Sequence, residues 1–223
     1  MQEFNVVDTY TRDFPYDWAT LVENVMDPSH IPFAHHGLQG SRDDGIPIRI
    51  HSLNYTDDGY RFEFTDKTMG MVRRGVGEFD GPYLVNYASR FEASEKTFNL
   101  TLFCIPRDDG SSRAILLSSI HDNGRKTLFQ HIMSLIPTWV VHVLSSRFLD
   151  SDLIFLHYQD ANSRDSSKNY VMPAECDASI KALHKTLDDK YGYERAPRTS
   201  IVPRTRKALL DRWHSHTLQC KHC

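Results

Sequence analysis

The sequence predicts an α+β domain, in which one antiparallel sheet of about six or seven strands is packed with helices. Between about residues 48 and 121, short segments alternate apolar and polar residues with a period of two, as half-buried strands do. Before and after this region, apolar residues recur at helical spacing instead. Because the strand segments follow one another directly and the helices flank them, we expect a meander sheet with the helices grouped against it.

Three segments show the strand pattern most clearly. "YRFEF" directs Tyr60, Phe62 and Phe64 to one face of the sheet, and "YLVNY" and "FNLTLFC" alternate in the same way. Asp-Asp-Gly sequences at 57–59 and 108–110 separate such segments, and glycine readily adopts the positive φ of hairpin turns. Consecutive strands are therefore expected to pair with each other.

Four segments are predicted to be helical: 17–26, about 126–144, about 148–160 and 176–191. The first has apolar residues at helical spacing, and the last has one apolar face. We interpret four aromatic residues of these segments as core residues: Trp18, Trp139, Phe148 and Phe155.

Composition limits the classes of function. With 223 residues, 40% of them hydrophobic, we expect one domain over residues 1–194 and a tail over 195–223. The 29 acidic and 26 basic residues are mixed along the chain, which argues against a nucleic-acid partner. No apolar run approaches the ~20 residues of a membrane span, and the first residues do not resemble a signal or transit peptide. The four cysteines are too few for a disulfide framework, which favours a reducing compartment.

Near the start of the chain, "ENVMDPSHIPFAHH" (residues 23–36) holds an unusual density of ligand-type side chains. A regular helix would place His30 and His35 about 140° apart around its axis, too far to share a metal. Pro32 lies between them and is expected to break the regular turn, so that both imidazoles can reach one point. Asn24 and Asp27, three residues apart on the preceding helix, are expected to lie beside that point without being ligands.

A carboxylate is needed to complete the 2-His-1-carboxylate arrangement of non-haem iron(II) oxygenases, which leaves metal positions open. "RFLDSDLIFLHYQD" offers Asp152, expected at the start of a helix, and Asp150 competes with it. Leu156 and Gln159 at helical spacing favour Asp152. His36 is expected to be exposed or outside the ligand set.

Asn24-x2-Asp27-x2-His30-x4-His35, followed far downstream by Asp152, resembles the iron site of the catalytic domains of Rieske-type non-haem iron oxygenases. "LVENVMDPSHIPFAHHGLQGSRDD" and "FLDSDLIFLHYQD" are similar to the branch that contains pheophorbide a oxygenase, chlorophyllide a oxygenase and a Rieske protein of the plastid import machinery. The resemblance implies a helix-grip-like catalytic domain with iron between the sheet and the helices.

The same resemblance implies roles for individual residues. His30, His35 and Asp152 would be the ligands of a mononuclear Fe(II), and Asn24 would be a polar residue close to the iron. Asp27 would be a bridging carboxylate that hydrogen-bonds His30 and relays electrons from the Rieske cluster of a neighbouring subunit. The substrates would be O2 and a chlorophyll-type tetrapyrrole, the assembly a homotrimer, and the location a plastid or a cyanobacterial cell.

The cysteines and histidines of the chain bear on its electron supply and on the role of its tail. A Rieske [2Fe-2S] centre needs two separated Cys/His pairs, and the chain lacks them, so we expect a Rieske domain or ferredoxin-like half to act with it. By the same resemblance, membrane association would involve only further segments. Cys220 and Cys223 resemble the C-x-x-C of this branch, where redox control is suspected. Two unpaired thiols and a regulatory disulfide are both compatible with the sequence.

Two other classes of function remain open at this stage. The same fold without an electron supply would bind a hydrophobic ligand or pigment. Alternatively, the chain would be a redox-sensing subunit of a plastid complex, with its function in Cys220 and Cys223. A zinc hydrolase agrees less well, because Asn24 and Asp27 would have no evident role.

Overall fold

A seven-stranded antiparallel sheet forms the centre of the protein in the computed structural model, which describes residues 5–93, 97–107, 110–121, 135–165, 171–194 and 204–223. The strand order is β1-β7-β6-β5-β4-β3-β2, so the predicted meander is confirmed from β2 to β7. The strands are β1 (Asn5–Phe14), β2 (Arg49–Tyr55), β3 (Gly59–Thr68), β4 (Met71–Asp80), β5 (Leu84–Phe91), β6 (Thr97–Pro106) and β7 (Ser112–His121).

Strand β1 was not predicted from the sequence. It pairs antiparallel with β7 and directs Tyr10, Arg12 and Phe14 inward, each at most 2% exposed. The alternation is regular, but Arg12 occupies an inward position where an apolar residue is expected. A buried ion pair between Arg12 and Asp150, with Nη2 and Oδ1 2.6 Å apart, explains how the strand accepts this charge.

The helices were predicted in part. They are α1 (Trp18–Met26), α2 (Ile31–Ala34), α3 (Thr138–Asp165), α4 (Ala178–Tyr191), α5 (Arg206–Leu209) and α6 (Arg212–Ser215), with 3-10 turns at Pro28–His30, Arg42–Asp44, Glu175–Asp177 and Thr217–Gln219. The predicted first and last helices correspond to α1 and α4. The segments 126–144 and 148–160 were predicted as two helices, and α3 runs through both without a break; 126–134 lie outside the described residues.

The break expected near residue 146 is wrong because β1 stabilises this part of α3. The Ser146 hydroxyl is 2.7 Å from the Tyr10 hydroxyl, and the Ser146 carbonyl accepts a hydrogen bond of 3.1 Å from Arg12. Polar residues therefore continue the helix where they face a polar partner. For the same reason Asp152 lies inside α3 and not at a helix start as predicted, because α3 begins at Thr138.

The core forms between one face of the sheet and the helices. Phe62 and Phe64 of β3 are 0–1% exposed and lie opposite Gly77 and Gly75 of β4. A Cβ atom at Gly77 would lie 2.4 Å from the Phe62 ring, so glycine is needed for this close approach. Burial of each such ring contributes about 1.5–3 kcal/mol. Helix α1 packs against β5, β6 and β7, whereas α4 packs against β2 and β3.

The four aromatic residues predicted to be in the core have different environments. Trp18 is buried, at 7% exposure. Trp139 and Phe155 are 54% and 40% exposed, so the core prediction is wrong for them. Both are on α3, which packs mainly on β1, α1 and α5 among the described residues. Helical periodicity alone does not reveal which face of a helix is covered.

The C-terminal segment 204–223 contacts the domain. Helix α5 packs on α3 and α6 packs on β1. Arg212 of α6 donates a hydrogen bond of 2.9 Å from Nε to Asp150, so one carboxylate joins the segment to Arg12. The predicted boundary between a domain at 1–194 and a tail at 195–223 stays a prediction. Among the described residues, none of the helices is long and apolar enough to cross a membrane.

Candidate metal centre

The end of α1 and the two turns after it position the histidines. Asp17 caps the start of α1 by accepting from the Ala19 amide at 2.8 Å, and the helix ends at Met26 as predicted. Asp27 then caps the 3-10 turn Pro28–His30. The break predicted between the histidines is present as the change from this 3-10 turn to α2, in which Pro32 occupies one of the first two positions.

This broken path brings the two imidazole rings together. The Nε2 atoms of His30 and His35 are 3.2 Å apart, and the ring planes are inclined by 73°. His35 is 1% exposed and its ring stacks on Phe148 of α3, with centroids 3.7 Å apart. Phe148 was predicted to be a core residue, and its ring instead supports the site.

Hydrogen bonds at Nδ1 fix the orientation of both rings. The Nδ1 of His30 is 2.5 Å from the Asp27 carbonyl, which can only accept, so Nδ1 carries the proton. The Nδ1 of His35 is 2.8 Å from the Ser151 hydroxyl. Because that hydroxyl donates its proton to the Phe148 carbonyl at 2.6 Å, it accepts from His35. In its neutral form, each ring therefore presents an unprotonated Nε2 to the same point.

Asp152 of α3 completes the group. Its Oδ2 lies 3.3 Å from the Nε2 of His35 and accepts a hydrogen bond of 3.3 Å from the Asn24 amide. Its Oδ1 is buried and has no hydrogen-bond partner among the described residues. We call His30, His35 and Asp152 the iron cluster, after the metal that the sequence resemblance implies for them; their ligand atoms all lie within 4.8 Å of one another.

When both rings are neutral, three lone-pair atoms thus converge on one point, which is an arrangement that a cation stabilises. Burial, and then the neighbouring His30, lowers the pKa of His35 to about 3, so this ring is neutral at physiological pH. Burial raises the pKa of Asp152 to about 6, although a positive charge on His30 and the Asn24 hydrogen bond act in the opposite direction. Asp152 is therefore largely ionised at pH 7, so the set contains a carboxylate and the neutral ring of His35 beside His30.

An apolar cavity borders the iron cluster. It has an empty volume of about 860 Å³, including the solvent at its mouth. Its walls come from α1, from the inner face of the sheet and from α3; the apolar lining residues include Leu21, Val25, Phe98, Leu100, Leu102, Leu116 and Leu149. Arg73 also lines the cavity, and its guanidinium is bound by the Asp66 carboxylate. The site thus has metal-type donors at one wall of an apolar chamber.

The structure distinguishes the other candidates by their contacts. Asp150 bonds to Arg12 and Arg212, whereas Asp152 lies with the histidines. Asp27 contacts His30 through its backbone carbonyl and not through its carboxylate, which accepts from the Ser29 amide at 2.8 Å. The resemblance implied a hydrogen bond between the Asp27 carboxylate and His30, and the structure differs because His30 bonds to the Asp27 backbone instead.

His36 is exposed, as expected, and its Nδ1 accepts from the Arg42 amide at 3.2 Å. The residues that sequence reasoning missed are Ser151 and Phe148, which hold His35. Ser151 lies next to Asp152 in the chain, and this position could have indicated that its side chain is close to the histidines.

Cys220 and Cys223 are not joined in a disulfide, and each lies beside a histidine. His142, His216, Cys220 and Cys223 also place their ligand atoms within 4.8 Å of one another, and we call them the tail cluster. The two histidines were not predicted. His216-x3-Cys220-x2-Cys223 has the spacing of metal ligands, whereas His142 lies 74 positions before His216 and could not be identified by spacing.

The sheet and its helices have the fold of a Rieske oxygenase catalytic domain. Among solved structures, the NdmA QL mutant of Pseudomonas putida CBB5 with caffeine superimposes with a TM-score of 0.59 at 16% identity, over 94% of this chain and 55% of that one. The family model of pheophorbide a oxygenase matches residues 79–169.

Curated relatives cover nearly the whole chain. Pheophorbide a oxygenase of Oryza sativa subsp. japonica, a chloroplastic protein, is 28% identical over 96% of this chain and 45% of its own length. Flavonoid 8-hydroxylase 2 of Ocimum basilicum, also chloroplastic, is 26% identical over 96% of this chain and 44% of its own length. The chain thus spans less than half the length of these relatives. The resemblance seen in the sequence is confirmed: the chain is similar to the pheophorbide a oxygenases, and the relatives named here are chloroplastic.

Proposed function

We propose that this chain is the catalytic domain of an oxidoreductase, an oxygenase that uses a mononuclear Fe(II) held by His30, His35 and Asp152. The observation that carries the proposal is the convergence of the two imidazole Nε2 atoms, 3.2 Å apart, with a carboxylate oxygen 3.3 Å from the second. This donor set is the one that non-haem iron oxygenases use. Iron bound there would supply the activation of O2 for oxygen insertion into the substrate.

The protein's own residues hold this donor set in place. The Asp27 carbonyl and the Ser151 hydroxyl keep the two rings in the metal-binding tautomer, and Asn24 orients the Asp152 carboxylate. The apolar walls exclude water from the reacting centre, which strengthens electrostatic interactions inside it. Three protein ligands leave positions open for O2 at the wall of the cavity.

For the substrate we propose a flat, largely apolar molecule, and within this class a chlorophyll-derived tetrapyrrole. The name of the matching family and the apolar lining of the cavity support it. The flavonoid relative acts on another planar ring system by its name, which makes flavonoids the second candidate. Tyr87 lines the cavity, and its buried hydroxyl has no hydrogen-bond partner among the described residues. We assign it the binding of a polar group on the ring edge.

For the electron supply we propose a Rieske [2Fe-2S] domain, or a ferredoxin-like donor carrying one, that docks at Asp27 from a neighbouring subunit of a homotrimer in the plastid. Asp27 supports this assignment because its carbonyl contacts His30 while its side chain lies on the half-buried rim. One residue thus connects the ligand with the protein surface. In this proposal the isolated chain gives no sustained turnover with a bare ferredoxin.

Metal analysis tests the iron cluster. Wild-type protein, loaded anaerobically with Fe(II) and desalted, is expected to hold one iron per chain at this site, and His30→Ala is expected to lose it. His36→Ala is the matched control, because His36 is exposed in the same segment and is expected to keep the iron. Iron that survives His30→Ala would remove the oxygenase mechanism and leave the pigment-binding alternative.

Turnover tests the substrate and the electron route. With a Rieske partner, a reductant and O2, pheophorbide a is expected to be consumed faster than a flavone.

Asp27→Asn is expected to keep the iron and to lower coupled turnover by at least about 100-fold, or roughly 3 kcal/mol in transition-state free energy. Tyr87→Phe is expected to raise KM with little change in kcat. Pigment binding by iron-free protein, without turnover in the complete system, would contradict the oxygenase proposal.

A further inference from the structure

The tail cluster lies apart from the iron cluster. His142 belongs to the second turn of α3, ten residues and about 15 Å of helix before Asp152. His216 ends α6, and the two cysteines follow the 3-10 turn Thr217–Gln219. The four side chains therefore join the last residues of the sequence to the start of the long helix.

The distances within the tail cluster are those of ligands around one ion. The Sγ atoms of Cys220 and Cys223 lie 3.3 and 3.4 Å from the Nδ1 of His142, and the Sγ of Cys223 lies 3.3 Å from the Nε2 of His216. Zn–S bonds of about 2.3 Å and Zn–N bonds of about 2.0–2.1 Å give tetrahedral S···N edges of about 3.6 Å. A Rieske-type cluster would instead place its sulfur and nitrogen ligands on different irons.

Surrounding groups orient the ligands. The Nδ1 of His216 donates to the Thr11 carbonyl of β1 at 2.7 Å, which leaves Nε2 unprotonated and facing Cys223. The Tyr10 ring stacks on His216 with centroids 4.3 Å apart and meets the edge of His142 at 5.2 Å.

Burial and backbone donors support the same arrangement. His142 and His216 are 2% and 3% exposed. The His222 amide lies 3.4 Å from the Cys220 sulfur, where it can donate to a thiolate. Cys223 is exposed and offers an entry path for an ion.

We propose that His142, His216, Cys220 and Cys223 form a structural zinc site that fastens the C-terminal segment to β1 and α3. Two thiolates and two imidazoles select zinc over the harder magnesium and calcium ions. The set is complete with four protein ligands and leaves no open position, as in structural zinc sites. The pairing of Cys220 with Cys223 in a disulfide would remove both sulfur ligands, so zinc and the disulfide exclude each other. The site does not depend on the proposed iron chemistry.

Cobalt substitution tests the site directly. Co²⁺ bound by cysteine gives thiolate-to-cobalt charge-transfer absorption and the intense visible bands of a tetrahedral ion. The iron cluster contains no sulfur ligand, so this spectrum reports only on the tail cluster. Titration of reduced, metal-free full chain is expected to reach its end point at one thiolate-bound Co²⁺ per chain, and one equivalent of Zn²⁺ is expected to abolish the bands.

Variants assign the spectrum to these residues. Cys220→Ser and His216→Asn are each expected to weaken cobalt binding by at least about 100-fold. His222→Asn is the matched control, since its side chain lies outside the cluster although it sits between the two cysteines, and it is expected to keep the spectrum. His30→Ala is also expected to keep it, which separates this result from any failure of the iron proposal. Absence of thiolate bands in the wild type, or bands that survive in Cys220→Ser, would overturn the proposal.

A measurement on the wild-type protein tests the zinc site without relying on variants, which could fail to fold. Zinc-loaded and chelator-treated wild type are alkylated with iodoacetamide and mapped by mass spectrometry. Zinc is expected to slow the alkylation of Cys220 and Cys223 at least tenfold and to leave half-buried Cys176 unchanged. Equal rates with and without zinc would also refute the site.

Discussion

The iron cluster and the tail cluster use the same helix for different purposes. Helix α3 contributes Asp152 to the first and His142 to the second. The iron cluster has three donors, all nitrogen or oxygen, beside an apolar cavity. The tail cluster has four donors, two of them sulfur, between the C-terminal segment and β1. The number and softness of the ligands thus distinguish a site suited to chemistry from one suited to holding segments together.

The largest expected effect is that a variant of either cluster loses the metal of that cluster and keeps the metal of the other. Asp152→Ala is expected to lower Fe(II) affinity at least about 100-fold, because it removes the only carboxylate of the set, and to leave the cobalt–thiolate spectrum unchanged. Cys220→Ser is expected to do the reverse. Iron by elemental analysis and cobalt by absorbance measure the two sites. Loss of both metals in either variant would mean that the clusters are coupled through α3.

The next largest effect separates Asp150 from Asp152. Asp150→Ala leaves the fully buried Arg12 without its partner and is expected to lower the free energy of unfolding by about 3 kcal/mol. Its folded fraction is expected to bind iron as the wild type does. Urea unfolding measures the loss. The control is Asp189→Ala, which removes an exposed pair with Lys185 and is expected to leave the free energy of unfolding nearly unchanged. Loss of iron in folded Asp150→Ala would identify Asp150 as the ligand.

A smaller effect tests the support of the iron ligands. Ser151→Ala removes the acceptor of the His35 Nδ1 proton and is expected to weaken iron binding about tenfold. Ser145→Ala, at a half-buried serine of the same helix, is the control and is expected to keep full affinity. Equal affinities in the two variants would show that stacking on Phe148 alone orients the ring.

The smallest effect is a pH dependence. Because burial raises the pKa of Asp152 to about 6, protons compete with the metal at a higher pH than at an ordinary aspartate. Iron affinity is expected to be nearly constant above pH 7 and to fall about tenfold per unit below pH 6. Anaerobic titrations at pH 5, 6, 7 and 8 measure this. Constant affinity down to pH 5 would mean that Asp152 is not a ligand or that its pKa is not raised.

The sequence by itself determined the features that depend on neighbouring residues. The alternation of Tyr60, Phe62 and Phe64 and the glycine turns determined the meander, because a side-chain period and a turn conformation are local properties. The Asp-Pro sequence at 27–28 determined where α1 ends. The spacing of His30 and His35 around a helix break indicated that the two rings converge, and their Nε2 atoms lie 3.2 Å apart in the structure.

Only the tertiary structure decided the features that depend on distant partners. Arg12 is acceptable in β1 because Asp150 lies opposite it, and that same pair draws Asp150 away from the histidines. Trp139 is exposed because the described contacts of α3 lie elsewhere. His142 and His216 meet Cys220 and Cys223 only after the tail folds back on β1. Such contacts join residues tens to hundreds of positions apart, where no local period or spacing relates them, so packing alone selects them.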